Sequence, residues 1–98
     1  MPGKKQNKST GENKVYTFRR WYIPERMGPG ILRYVNDHIR PGSFLCAVIS
    51  NDLRGAVMLA DSENIDNLSA FSMYFYWETP PDCHGSKEKM EAWIKHKS

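Results

Sequence analysis

Between Pro41 and Asp61 the chain reads PGSFLCAVISNDLRGAVMLAD, and this stretch limits the possible folds more than any other. On a helical wheel of about 100° per residue, Leu45, Cys46, Ile49, Leu53, Ala56, Val57 and Ala60 share one arc of about 120° without a polar interruption. Ser50, Arg54 and Asp61 lie beyond Val57. The pattern predicts a single amphipathic helix of about five turns that presents its apolar arc to the rest of the molecule. Arg40-Pro41-Gly42 ends whatever precedes it, and Ser43 is placed to cap it by accepting a backbone hydrogen bond.

The remaining elements arrange themselves around that helix. Residues 1–14 are polar and carry no apolar side chain after Met1 and Pro2, which predicts a disordered basic tail ahead of a single helical domain over 15–98. VYTFRRWYI then reads as a short strand or an extended arm. Ile23-Pro24 enters a turn, and Gly28-Pro29-Gly30 interrupts any helix begun there. Ile31, Leu32, Val35 and Ile39 recur at helical spacing, giving a helix near 29–38. Asp61 and its polar neighbours close the central helix and supply a cap for the next, near 63–77, where Ile65, Leu68, Ser69, Ser72, Met73, Phe75 and Tyr76 share a broad face. The serines would let a neighbouring helix approach. Pro80-Pro81 stops that helix, and Ser86 caps a last one near 86–96 with Met90, Trp93 and Ile94 as its packing stripe. The expected fold is therefore all-α, with four helices near 29–38, 43–60, 63–77 and 86–96.

Composition bounds the function more than it defines it. Ninety-eight residues suit one small domain. No apolar run approaches the roughly 20 residues that cross a bilayer, and the N-terminal residues lack the apolar segment of a secretory signal, so the expectation is a soluble cytoplasmic protein without membrane contact. Cys46 falls in the apolar arc, and both it and Cys83 are expected as reduced thiols. Residues 1–20 hold Lys4, Lys5, Lys8, Lys14, Arg19 and Arg20 against Glu12 alone, a net +5, whereas the other eight bases and ten acids leave −2. The basic character thus belongs to the tail, which is either a solvated terminus or a phosphate-contacting segment.

Catalytic signatures are absent from the sequence. It holds no phosphate loop, dinucleotide fingerprint, serine elbow or paired-histidine metal motif. Cys83-His84 provides two of the four ligands a zinc site needs, so no metal and no cofactor are expected. Adjacent residues in a loop rarely place a thiol against an imidazole, and Asp52 and Asp61 are too far apart on one helix to share a substrate. The protein is expected not to be an enzyme.

One resemblance stands out. PGSFLCAVISNDLRGA, followed by Ala60-Asp61, Asn64, Leu68, a tyrosine-rich stretch, Pro80-Pro81 and CHGS ahead of Trp93, resembles a family of small proteins encoded by tailed bacteriophages. It runs from about Ile23 to Trp93 and departs at His84, where the family commonly carries tryptophan. The resemblance implies a phage gene product acting in the bacterial host cytoplasm.

Two groups of residues are candidates for a site. Asn51, Asp52 and Arg54 could open onto a groove and hold a ligand through amide, acceptor and guanidinium contacts. Alternatively, Asp52, at the edge of the apolar arc and partly desolvated, is a structural buckle to Arg33, Arg40 or a helix N-terminus, so that Asp52→Asn would cost much stability. Arg19, Arg20 and Trp21 either flank rings that pin the arm to the core or form a surface on which bases stack, with Lys4, Lys5, Lys8 and Lys14 contacting phosphates. The expected function is binding and modulating a host protein during infection, as in host takeover or anti-defence. The alternative is binding nucleic acid or a nucleotide through residues 1–21. The crowd of Phe71, Tyr74, Phe75, Tyr76 and Trp77 is either buried or the seam of a homodimer.

Overall fold

The computed structural model describes residues 14–96. The tail expected over residues 1–14, with Lys4, Lys5 and Lys8, lies outside them except for Lys14, which opens strand β1. Strands β1 (Lys14–Phe18) and β2 (Trp21–Pro24) form an antiparallel hairpin, with Tyr16 opposite Ile23, Thr17 opposite Tyr22 and Phe18 opposite Trp21. The fold is mostly helical, but this hairpin means that it is not all-α. Aromatic and β-branched side chains suit the pleated surface, and here they bury Ile23 and lay Tyr16, Phe18 and Trp21 on the helical core. The turn is Arg19-Arg20, with Arg19 at φ 57°, a conformation that two-residue hairpins usually give to glycine or asparagine.

A 3-10 turn over Glu25–Met27 leads into α1 (Gly28–Asp37), within one residue of expectation at each end. Gly28-Pro29-Gly30 forms its first turn, where Pro29 needs no N–H donor. Gly28 is buried, and a Cβ there would press on Val15 of β1. His38, at φ 61°, ends the helix in the left-handed conformation.

The expected helix over 43–60 is two helices, α2 (Ser43–Ile49) and α3 (Leu53–Leu59). The break has a definite construction. Asp52 N–H donates to the Ala47 carbonyl at 2.8 Å and Asn51 N–H to Val48 at 3.1 Å, with Asn51 left-handed at φ 64°. This pair of bonds is a Schellman ending, which satisfies carbonyls that the last turn of a helix otherwise leaves open. Asparagine is among the few residues that tolerate the left-handed conformation. Asp52 then begins α3 as its N-cap, its carboxylate accepting from Gly55 N–H at 3.0 Å. A Cβ at Gly55 would overlap that carboxylate, so the glycine makes room for the cap. Ser43 does not cap α2; the N-cap is Gly42, and Ser43 already lies inside the first turn.

The expected helix over 63–77 is also divided, into α4 (Ser62–Asp66) and α5 (Leu68–Glu78). Asp61 caps α4 by accepting from Asn64 N–H at 2.8 Å. Asn67 interrupts the run because its buried side chain bonds elsewhere: its oxygen accepts from Tyr22 N–H and its amide donates to the Glu63 carbonyl, both at 2.9 Å. The face of α5 is displaced from the expected one. Ala70, Phe71 and Phe75 are buried, while Ser69, Ser72, Tyr76 and Trp77 are exposed, so no helix lies against the serines. One side of α5 meets the hairpin, with Tyr74 edge-on to Tyr16 at 5.5 Å, and another meets α2, with Phe71 edge-on to Phe44 at 5.0 Å.

Ser86 caps α6 (Lys87–Lys95) by accepting from Lys89 N–H at 3.1 Å. This helix is fastened to α1 through its neighbours. Trp93 Nε1–H donates to the Tyr34 carbonyl at 2.9 Å, and the His38 ring lies tilted against Trp93, centroids 4.5 Å apart, with Nδ1 2.7 Å from the Trp93 carbonyl. A carbonyl can only accept, so His38 carries its proton on Nδ1. Tyr34 is buried and its hydroxyl donates to the Cys83 carbonyl at 2.6 Å; burial holds its phenol well above the ordinary tyrosine range. Gly85, at φ 116°, donates its N–H to the Ile49 carbonyl at 2.8 Å, tying the Cys83–Ser86 loop to the end of α2.

Two substitutions test the construction of the break. Gly55→Ala, which ordinarily strengthens a helix, destabilises this protein by about 1 kcal/mol because it displaces the cap. Asp52→Asn leaves stability within about 0.5 kcal/mol, since asparagine caps as well as aspartate. Urea denaturation of both variants measures the difference.

Candidate interaction surface

Breaking the central helix turns α3 away from the orientation that its sequence suggests. Of its seven residues only Ala56 is buried. Leu53 is 68% exposed, Val57 47%, Met58 77% and Leu59 53%. Leu53 and Val57 belong to the expected core arc, and the structure puts both in contact with solvent. Asp52, expected at a partly desolvated edge, is exposed as well, and it meets the N-terminus of α3 rather than Arg33 or Arg40. Asn51 serves the left-handed turn. Arg54 is exposed and makes no ion pair among the described residues.

Next to this helix is a groove of about 400 Å³, between the start of α1, the start of α2 and the chain around α4. Met27, Leu45 and Leu59 give it aliphatic walls, and Arg26, Arg33 and Asn64 contribute polar groups. Leu59 lines the groove and is itself half exposed, so the groove borders α3. None of Arg19, Arg20, Trp21, Asn51, Asp52 and Arg54 lines it. The groove residues carry no sequence motif. The available signal was that Met58 and Leu59 are apolar yet lie off the arc, more than one straight helix could bury.

A polar seam closes one side of the groove and joins the hairpin to α4. Arg26 reaches Asp61 at 3.0 Å and Glu63 at 3.2 Å, and the Tyr22 hydroxyl donates to Glu63 at 2.7 Å. The Asn64 N–H, and after it the Arg26 guanidinium, hold the Asp61 carboxyl below the usual carboxylate range. Arg26 itself is raised, chiefly by its hydrogen bond to Glu63. These pairs are about half exposed, so solvent screens them and each adds little stability. Elsewhere, Arg40 pairs with Glu91 at 2.6 Å and lowers that carboxyl.

At the hairpin turn, Arg19 lies over the Phe18 ring, 5.3 Å from its centroid, and Arg20 over the Trp21 ring at 4.6 Å. Phe18 and Trp21 stack at 6.3 Å and pack on the core. Ring faces covered by the chain's own guanidiniums are already occupied on that side. Cys83 is fully buried, and burial raises its thiol, as it does that of Cys46; such thiols stay protonated at neutral pH. Burial and the nearby Lys89 lower His84. Among the described residues no three His, Cys, Asp or Glu side chains converge as metal ligands, and no helix is long and apolar enough to cross a membrane. No family model matches the chain, and no curated protein or solved structure matches it either.

The seam has an acid limb. A lowered carboxyl stabilises the fold fully above its unfolded value, and that contribution is lost as the pH falls through the folded one. Stability therefore declines as the pH drops below the ordinary carboxylate range, about 4. Arg26→Met makes this decline shallower, since Asp61 loses one of the groups that hold it ionised; urea midpoints measured across acid pH give the slope.

Proposed function

We propose that this protein is a non-enzymatic accessory protein of a tailed bacteriophage that binds and modulates a host protein in the bacterial cytoplasm, with α3 as its docking surface. The observation that carries the reading is the exposure of Leu53, Val57, Met58 and Leu59 on one seven-residue helix. Burying an aliphatic side chain of this size is worth about 1.5–3 kcal/mol, so a partner covering even part of the four gains appreciable affinity. Large apolar side chains gathered on one exposed helix suit an association site. The phage and host assignments rest on the sequence resemblance.

The nucleic-acid alternative draws less support. Trp21 packs on the core, and the Arg19 and Arg20 guanidiniums lie over the chain's own rings rather than along an open channel with Arg33 or Arg54. A second copy of the chain competes for the same α3 surface, and sedimentation of the purified protein detects it.

Affinity purification from infected cells tests the reading. The wild-type chain is expected to retain a host protein at stoichiometric levels, and Leu53→Asp with Met58→Asp to release it while the melting temperature stays within a few degrees, both residues being exposed. Absence of a stoichiometric host protein, or equal capture by the variant, contradicts the reading.

A further inference from the structure

Asn64 is nearly buried, 4% exposed, yet it lines the groove, and its side-chain amide has only weak partners among the described residues. Its oxygen is 3.5 Å from Arg26 Nη2, and its amide nitrogen is 3.8 Å from the Met27 sulfur. Good hydrogen bonds to an amide are near 2.9 Å, and sulfur is a weak acceptor. A desolvated amide in that condition gains most from a ligand that offers a donor and an acceptor together. A peptide group does so, provided its own N–H and carbonyl are not already bonded within a helix.

Charge narrows the ligand further. The Arg26 charge is spent on Asp61 and Glu63. Arg33, on the same groove, has no carboxylate partner among the described residues, and neither has Arg54 on α3. Arginine takes a carboxylate in a two-pronged, charge-assisted pair. In the same groove as Arg33, Met27, Leu45 and Leu59 offer aliphatic contact, and the volume of the groove lies in the range of ligand pockets.

We propose that this groove receives an extended acidic segment of a protein partner. One aliphatic side chain enters between Met27, Leu45 and Leu59, a peptide group of the segment pairs with the Asn64 amide, and an Asp or Glu beside it meets Arg33. Leaving past Leu59, the segment continues onto α3. The proposal deepens the host-protein reading and rests on it for the identity of the partner, though not for the chemistry of the groove. Nucleic acid fits less well, because the groove offers one unspent guanidinium and aliphatic walls rather than exposed rings for base stacking.

The test is selection of short random peptides displayed on phage against the full chain, with the best peptide then measured by fluorescence anisotropy. Enriched peptides are expected to place Asp or Glu beside a large aliphatic residue. Arg33→Glu is expected to weaken binding about tenfold or more, as loss of a charge-assisted pair does. Replacing the peptide acid with lysine should restore affinity for the Arg33→Glu chain. Arg33 is exposed, so the variant keeps its melting temperature. No enrichment, enriched peptides without an acid, affinity unchanged by Arg33→Glu, or displacement of the peptide by a single-stranded oligonucleotide with the same Arg33 dependence would each overturn the proposal. The two readings fail separately. If infected-cell capture is lost with Leu53→Asp and Met58→Asp but intact with Arg33→Glu, the α3 reading stands and the groove proposal falls. If the peptides bind as expected while no host protein is captured, the groove proposal stands without it.

Discussion

The bond from Asp52 N–H to the Ala47 carbonyl decides the shape of this molecule. It closes α2, and the same residue's carboxylate opens α3, so a single aspartate ends one helix and starts another. Each half of the arrangement needs its own residue type. Asn51 accepts the left-handed backbone, and Gly55 leaves space for the carboxylate. Once the chain has turned there, the Ile49 carbonyl is available to Gly85, the loop holding Cys83 is drawn in, and the Cys83 carbonyl receives the Tyr34 hydroxyl. The latch of Tyr34, His38 and Trp93 then seats α6. The middle and the end of the chain are thus coupled through backbone groups more than through side-chain pairs.

What the sequence revealed followed from how local each determinant is. The limits of α1 and α6, the caps at Asp61 and Ser86 and the stop at Pro80 depend on a few adjacent residues, and all could be read. The two broken helices could not. At Asn51-Asp52 the hydrophobic periodicity runs on across the interruption, so a wheel counts Leu53 and Val57 as core when they face solvent. At Asn67 the cause lies 45 residues away, in the Tyr22 N–H that its side chain serves. The hairpin was half legible: the strand-forming residues of VYTFRRWYI are plain, but a turn made of two arginines carries none of the glycine or asparagine that announces one.

The site divides similarly. Arg19, Arg20, Trp21, Asn51, Asp52 and Arg54 attract attention as charged or aromatic residues in short clusters, yet most of them serve the backbone or lie against neighbouring rings. The groove draws on Met27, Arg33, Leu45, Leu59 and Asn64, which are dispersed over almost forty positions and ordinary in type. Asn51, Asp52, Gly85, Ser86 and Trp93 hold backbone conformations, caps or backbone carbonyls.

Helix α3 is held to the rest of the molecule chiefly through α2, with Ala56 as its one buried residue. With so little buried surface, α3 is the less firmly anchored of the two halves of the broken helix. A molecule that covered Leu53, Val57, Met58 and Leu59 would add to that anchorage, so its binding and the stability of α3 would be linked.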